Sequence, residues 1–180
     1  MTPNPVIDDL AIHRAKRGDR AAWSEIYEGM GDRLMGFLVV RLGNREDAAE
    51  ALSETFTRAI SRVGGLRTTT FEVFRAWIYQ IARNVAVDHL RRRGREMPTA
   101  DIPEGVAADD PLATVVRGES RAEVRSAFRD LPRADQEVLY LRVVAGLDSE
   151  SVAAIVGTTP GAVRMRQMRA LGTLETRLGS

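Results

Sequence analysis

The chain has 180 residues, 26 of them basic and 25 acidic, a net charge of +1 and no cysteine. A charge this close to zero excludes a polybasic tail protein and leaves nucleic-acid contact to local patches, and the missing cysteines exclude disulfide scaffolding and thiolate metal sites. Met1 to Leu10 carries neither a basic start nor an apolar core, and no run approaches the ~20 apolar residues that span a bilayer, so the reading is a soluble, cytoplasmic protein without membrane insertion.

Helical periodicity dominates the first half. A short helix is expected near Asp8 to Lys16. Trp23, Ile26, Tyr27, Met30, Leu34, Phe37, Leu38 and Leu42 then recur at three- and four-residue steps, which predicts a long amphipathic helix ending near Gly43. Asn44 can cap the next helix, which would bury Ala48, Ala51, Leu52, Thr55, Phe56, Ala59 and Ile60. Its opposite side collects Asp47, Glu50 and Glu54 one turn apart. Gly64 and Gly65 break it, and Leu66 to Thr69 lead into a capping box of Thr69 and Glu72. A fourth helix follows to about Arg93, roughly 36 Å at about 1.5 Å per residue, burying Phe74, Ile78, Ile81, Ala82 and Val85. Trp77 lies between Phe74 and Ile81 on that stripe and is assigned to the core.

From Gly94 to Asp110 the periodicity dissolves into Pro98, Pro103, Gly105 and small or acidic residues, the composition of a flexible linker. Asp110 and Pro111 restart structure as an N-cap with proline at the first helical position. Helices near Pro111 to Arg129 and Pro132 to Ala145 lead to Leu147–Leu174, which has the grammar of a helix-turn-helix. Asp148 caps, Val152, Ala153, Ile155 and Val156 form an apolar side, Gly157 ends the first helix, and Pro160 opens the second. Val163, Ala170, Leu171 and Leu174 are expected to face inward, leaving Arg164, Met165, Arg166, Met168 and Arg169 outside. The segment alone also fits an ordinary helical hairpin with solvated arginines. The fold class is all-α: two small helical domains, residues 1–94 and 111–180, joined by a flexible linker over 95–110.

Three segments then carry a family resemblance. DAAEALSETFTRAI (Asp47 to Ile60), FRAWIYQIARNVAVDHLRRRGR (Phe74 to Arg95) and LPRADQEVLYLRVVAGLDSESVAAIVGTTPGAVRMRQMRAL (Leu131 to Leu171) resemble, in this order, regions 2.2, 2.3 to 2.4 and 4 of bacterial RNA polymerase sigma factors. With no domain between them, the chain resembles the extracytoplasmic-function (ECF) group. The resemblance implies a four-helix region 2 that binds core polymerase and recognises and melts the minus ten element, and a region 4 that reads the minus thirty-five element.

The same resemblance assigns residues. Asp47, Glu50, Ser53 and Glu54 would dock on the basic coiled coil of the polymerase largest subunit, Ser53 standing where the family usually has glutamine; a solvated helix face is the alternative for this acidic row. Thr158, Thr159, Arg164, Met165, Arg166, Met168 and Arg169 would meet the minus thirty-five duplex. Arginine can pair with guanine, methionine can touch a thymine methyl, and a helix N-terminus suits a phosphate. The loop Gly64 to Thr70, with Gly65, Arg67, Thr68, Thr69 and Thr70, would receive a flipped minus ten base, unless it is an ordinary connection. Arg83, Asn84, Arg91 and Arg92 would hold duplex phosphates. The implied partners are core RNA polymerase, through its coiled coil and flap, promoter DNA, and an anti-sigma factor clamped over both domains.

An enzyme is disfavoured. His13 and His89, the only histidines, fall in different helices, and no nucleophile elbow, phosphate loop or paired-carboxylate site accompanies them. No catalytic residue, metal or cofactor is expected. A one-component helix-turn-helix regulator remains the competing function.

Overall fold

The computed structural model describes residues 7–67, 70–96 and 121–179. Among these the regular structure is helical, without a strand. Helices α1 (Asp9–Lys16), α2 (Arg20–Leu42), α3 (Arg45–Arg62) and α4 (Phe71–Glu96) form the first half, and α5 (Arg121–Arg129), α6 (Arg133–Leu139), α7 (Ser149–Val156) and α8 (Pro160–Leu178) the second. The Thr69 cap and the helix start at Pro111 fall outside the described residues, as does the expected linker from residue 97 onward. α4 continues to Glu96, past the end expected near Arg93.

Side-chain caps set most of the helix starts. The Asp8 carboxylate accepts from the Ala11 N–H at 2.8 Å, Asp19 from Ala21 at 2.9 Å, and Asn44 from Asp47 at 2.8 Å. α2 stops at Gly43, whose φ of +83° is a left-handed conformation open to glycine without a Cβ clash. α2 buries residues on most of its circumference, among them Ala22, Trp23, Ile26, Met30, Leu34, Phe37, Leu38 and Leu42, because α1, α3, α4 and α6 all pack on it.

Three apolar positions depart from the expected pattern. Tyr27 and Ile60 are 50% and 52% exposed, side by side in a shallow groove with Trp23 and Phe56 between α2 and α3. Each lies at the edge of its helix stripe, and among the described residues the groove is lined from α2 and α3 alone. Leu171 is 38% exposed, and the neighbouring Ala170 and half-buried Leu174 make the contacts with the core instead. Trp77 is half-buried against the core, its ring 5.6 Å from that of Phe74.

The second half closes around Phe128, Leu131, Val138, Leu139, Leu141, Val144, Leu147, Val152, Ile155 and Val163. Where one helix from Pro132 to Ala145 is expected, α6 widens after Leu139 into a π-type turn over Tyr140–Val144. The two halves share one continuous apolar cluster. α6 lies on α2 and α7 on α4, with the Phe37 ring 5.4 Å from Tyr79 and 6.1 Å from Tyr140. The Tyr140 hydroxyl donates to the Arg33 carbonyl at 2.9 Å, and an Arg133 Nη donates to the Arg41 carbonyl at 3.1 Å. Between them sits Glu137, 4% exposed, held by Arg41 at 3.0 Å and Arg83 at 2.9 Å. A buried carboxylate is tolerated only with such partners, and removing them leaves an uncompensated charge.

Candidate nucleic-acid and polymerase interfaces

The helix-turn-helix forms through the caps its sequence specifies. Asp148 accepts from the Ser151 N–H at 2.7 Å, and this backbone bond, with a second from the Ser151 hydroxyl, holds its carboxyl below the usual carboxylate range. Gly157 ends α7 at φ +74°, and Thr159 caps α8 by accepting from Ala162 at 3.2 Å, with Pro160 in the first turn. The Thr159 hydroxyl therefore serves its own helix, and of the two threonines Thr158 has the uncommitted side chain. Behind α8, Val163 and Ala170 are buried.

Its outer face is as expected in kind. Arg164, Met165, Met168 and Arg169 are exposed, Met168 at 60%, while Arg166 is half-buried. Two large apolar side chains bared between arginines on an isolated protein suit a partner with both anionic and apolar features. Arg164 is 3.8 Å from Glu150, both side chains being solvated, so that pairing is weak. One residue that the sequence left unmarked helps to aim the helix: Arg142 donates to the Gln167 side-chain oxygen at 2.9 Å and also to the Leu147 carbonyl. It bridges the π-type turn, the start of the motif and the middle of α8.

In the first half, the acidic row is partly neutralised from within. Arg93 reaches Asp47 at 2.5 Å, and Glu54 accepts from Arg58 at 2.6 Å and Arg92 at 3.2 Å and lies 3.0 Å from His89 Nε2. Burial raises the Glu54 carboxyl, but the hydrogen bonds from His89, Arg58 and Arg92 outweigh it and hold it below its ordinary value. Glu50 and Ser53 are exposed, and among the described residues Glu50 alone of the three acids has no ion pair. The Ser53 hydroxyl turns back to the Ala49 carbonyl at 3.2 Å.

The loop before α4 is anchored by α1. Lys16 Nζ donates to the Leu66 carbonyl at 2.5 Å, and the Phe71 N–H donates to the Asp9 carboxylate at 2.8 Å, capping α4 from 62 residues away. Val63–Gly65 form a short 3₁₀ turn, and Gly65, Arg67 and Thr70 are exposed, while Thr68 and Thr69 are outside the described residues. On α4, Asn84 is exposed and accepts from Gln80 at 3.2 Å, and Arg91 and Arg92 are exposed at its far end. Arg83 is not on the open face: it is half-buried against Glu137. The structure thus brings together the α8 set and, separately, the α3 row, and gives Arg83 to the contact between the halves. Among the described residues no group of three metal-ligating side chains occurs, and no helix is long and apolar enough to cross a membrane.

Comparison with known proteins matches the model of sigma-70 region 2 to residues 26–96 and that of sigma-70 region 4 to residues 121–174. Over 174 residues the chain is 32% identical to the ECF RNA polymerase sigma factor SigD of Mycobacterium tuberculosis, an alignment covering 93% of this chain and 82% of that protein. The chain belongs to the ECF sigma factors. It is also 32% identical over 168 residues to the ECF sigma factor BldN of Streptomyces coelicolor, covering 91% of this chain and spanning 62% of BldN's length. In fold it is similar to the sigma factor RpoE of Bartonella quintana, solved in complex with the anti-sigma factor NepR, with a TM-score of 0.67, 24% identity and coverage of 81% of this chain and 89% of that one. Members of this family direct RNA polymerase to promoters. A one-component regulator is not favoured, because both halves match sigma regions.

Proposed function

We propose that this sigma factor docks on core polymerase through the α3 face, reads the minus thirty-five element with α8, and opens the minus ten element with the loop before α4 and the polar side of α4. The observation that carries this reading is the bared α8 face, arginines and methionines on a helix that follows a capped, glycine-ended turn. A helix so presented fits the major groove, where Arg164 and Arg169 meet guanine edges or phosphates and Met165 and Met168 meet thymine methyls. Thr158 and Arg166 lie toward the backbone of the same duplex.

In region 2, Glu50 is the acid most available to a basic coiled coil, with Asp47, Ser53 and Glu54 around it. Gly65, Arg67, Thr68, Thr69 and Thr70 enclose the extruded minus ten base, and Asn84, Arg91, Arg92 and, once freed, Arg83 hold phosphates. The working units are residues 1–94 and 111–180, with 95–110 between them. The protein acts in the cytoplasm without catalysis of its own, and an anti-sigma factor is its regulatory partner; the RpoE relative bound to NepR supports that assignment.

Promoter-fragment binding, measured with and without purified core polymerase, tests the reading. A sigma factor binds duplex weakly alone and tightly in the holoenzyme. Tight, dimeric binding by the isolated chain, unaltered by polymerase, would overturn it.

A further inference from the structure

The loop assigned to the minus ten base is not held in shape by its own glycines. Gly64 and Gly65 bring backbone freedom rather than a required left-handed turn: neither has a positive φ, and a Cβ at either would meet nothing within 4 Å. Its two described ends are tied instead to one short helix, α1. Lys16 Nζ donates to the Leu66 carbonyl at 2.5 Å, and the Asp9 carboxylate accepts from the Phe71 N–H at 2.8 Å, contacts that span 50 and 62 residues of sequence.

α1 is itself firmly mounted. Ala11, Ile12 and Ala15 are buried on one side of it, and Arg14 fixes it to α2 through Asp19 at 2.7 Å and Glu25 at 3.0 Å. Asp9 and Lys16 stand two turns apart on the same helix, so they share one face and lie about 10 Å apart along it. Lys16 is the only lysine among the 26 basic side chains. A compact ammonium on a flexible stem suits a single carbonyl, whereas a guanidinium is shaped for paired oxygens.

We propose that α1 is the template of this loop, and that Asp9 and Lys16 are positioning residues that set which minus ten base it prefers. Base selection rests on the reading under Proposed function; the anchoring does not. With both ends fixed, the loop loses backbone freedom on folding and not when a base arrives, so an extruded base meets donors and acceptors at set positions. A loop that adapts accepts several bases, while a held one rejects those whose edges leave its polar groups unpaired. Asp9 also places a carboxylate at the N-terminus of α4, where a phosphate would otherwise be favoured, and so leaves the base as the loop's ligand.

Holoenzyme reconstituted from core polymerase and the full-length protein, on templates carrying each of the four bases at each minus ten position, reads the preference through permanganate reactivity of downstream thymines. Asp9→Ala and Lys16→Met should each cut the ratio between the best and the next base about fivefold, the effect of one lost hydrogen bond. Asp9→Asn keeps an acceptor for the Phe71 N–H and should stay within about twofold of wild type. The two positions carry opposite charges. Charge alone would therefore raise opening of every template in Asp9→Ala and lower it in Lys16→Met, and a merely structural loss would lower all templates alike, with the ratios unchanged in each case.

Hydrogen exchange in the free full-length protein supplies the second arm. Asp9→Ala should speed exchange of the Phe71 amide about tenfold, and Lys16→Met should speed by about threefold that of the Leu66 amide, which donates to the Val63 carbonyl at 3.1 Å in the turn that Lys16 holds. Because the two substitutions lie at opposite ends of α1, failure of one to fold, seen by circular dichroism, leaves the other to decide. Unchanged exchange, or faster exchange with unchanged base ratios, would overturn the template. If the wild type opens templates without regard to base, the functional reading fails instead and base selection falls with it, and the exchange rates alone decide whether α1 holds the loop.

Discussion

Glu50→Lys is the cleanest perturbation of the proposed polymerase contact. Glu54 is a poor choice, because its replacement by lysine would strand Arg58, His89 and Arg92 beside a new cation and damage the α3–α4 pairing. Asp47 is similarly committed to Arg93. Glu50 is exposed and has no ion pair among the described residues, so reversing it should alter folding stability by no more than about 0.5 kcal/mol. Against a basic surface about 7 Å away, with an effective dielectric of about 20, one charge pair is worth ~2 kcal/mol, and reversal swings the interaction by about twice that. Salt screening over a Debye length of about 8 Å and side-chain rearrangement leave about 2 kcal/mol, or about 30-fold in Kd. Fluorescence titration of labelled protein with core polymerase at 50, 150 and 300 mM salt would read this, with the difference shrinking as salt rises. A Kd within threefold of wild type at every salt concentration would show that the acidic row is only a solvated face.

Three further outcomes are expected. Arg164→Ala or Arg169→Ala should each weaken use of an upstream-dependent promoter by roughly 1 to 3 kcal/mol with polymerase affinity unchanged, measured by transcription and by titration with core; equal transcription from the double variant would sink the groove assignment. Exchanging Arg67 to Thr70 for another family member's loop should change the preferred minus ten base while upstream preference stays, as permanganate footprinting on varied templates would report. Asp148→Ala should cost about 1 kcal/mol of stability near pH 7 through loss of the α7 cap. The Asp148 carboxyl is held below its ordinary value of 3.8, so its contribution is present above that value and fades as pH falls below it; thermal melts of wild type and variant should converge toward pH 3, and an undiminished gap there would contradict the cap.

Local signals made much of this fold legible. Asp8, Asn44 and Asp148 are short acceptors ahead of periodic apolar runs, and each caps the helix it precedes. Gly43 and Gly157 end helices because the left-handed turn there favours a residue without a Cβ. The α8 face was legible for the same reason: helical period alone separates Val163 and Ala170 from Arg164, Met165, Met168 and Arg169. Long-range pairing was not. Glu137 reads as an ordinary solvated helix position, and its burial depends on arginines from two other helices. Likewise nothing near Glu54 in sequence announces His89 or Arg92, and nothing near Phe71 announces the Asp9 carboxylate that caps α4. Tyr27, Ile60 and Leu171 erred in the opposite direction: periodicity says which side of a helix is apolar, but not how far a neighbour covers that side.

Run-off transcription with purified core polymerase on a randomised promoter library tests the central claim most directly. Transcripts above the level of core alone are expected, drawn from templates sharing two separated elements, with Arg164→Ala and Arg169→Ala relaxing only the upstream one. No stimulation of core polymerase, or selection of a single palindromic site indifferent to the downstream element, would contradict it.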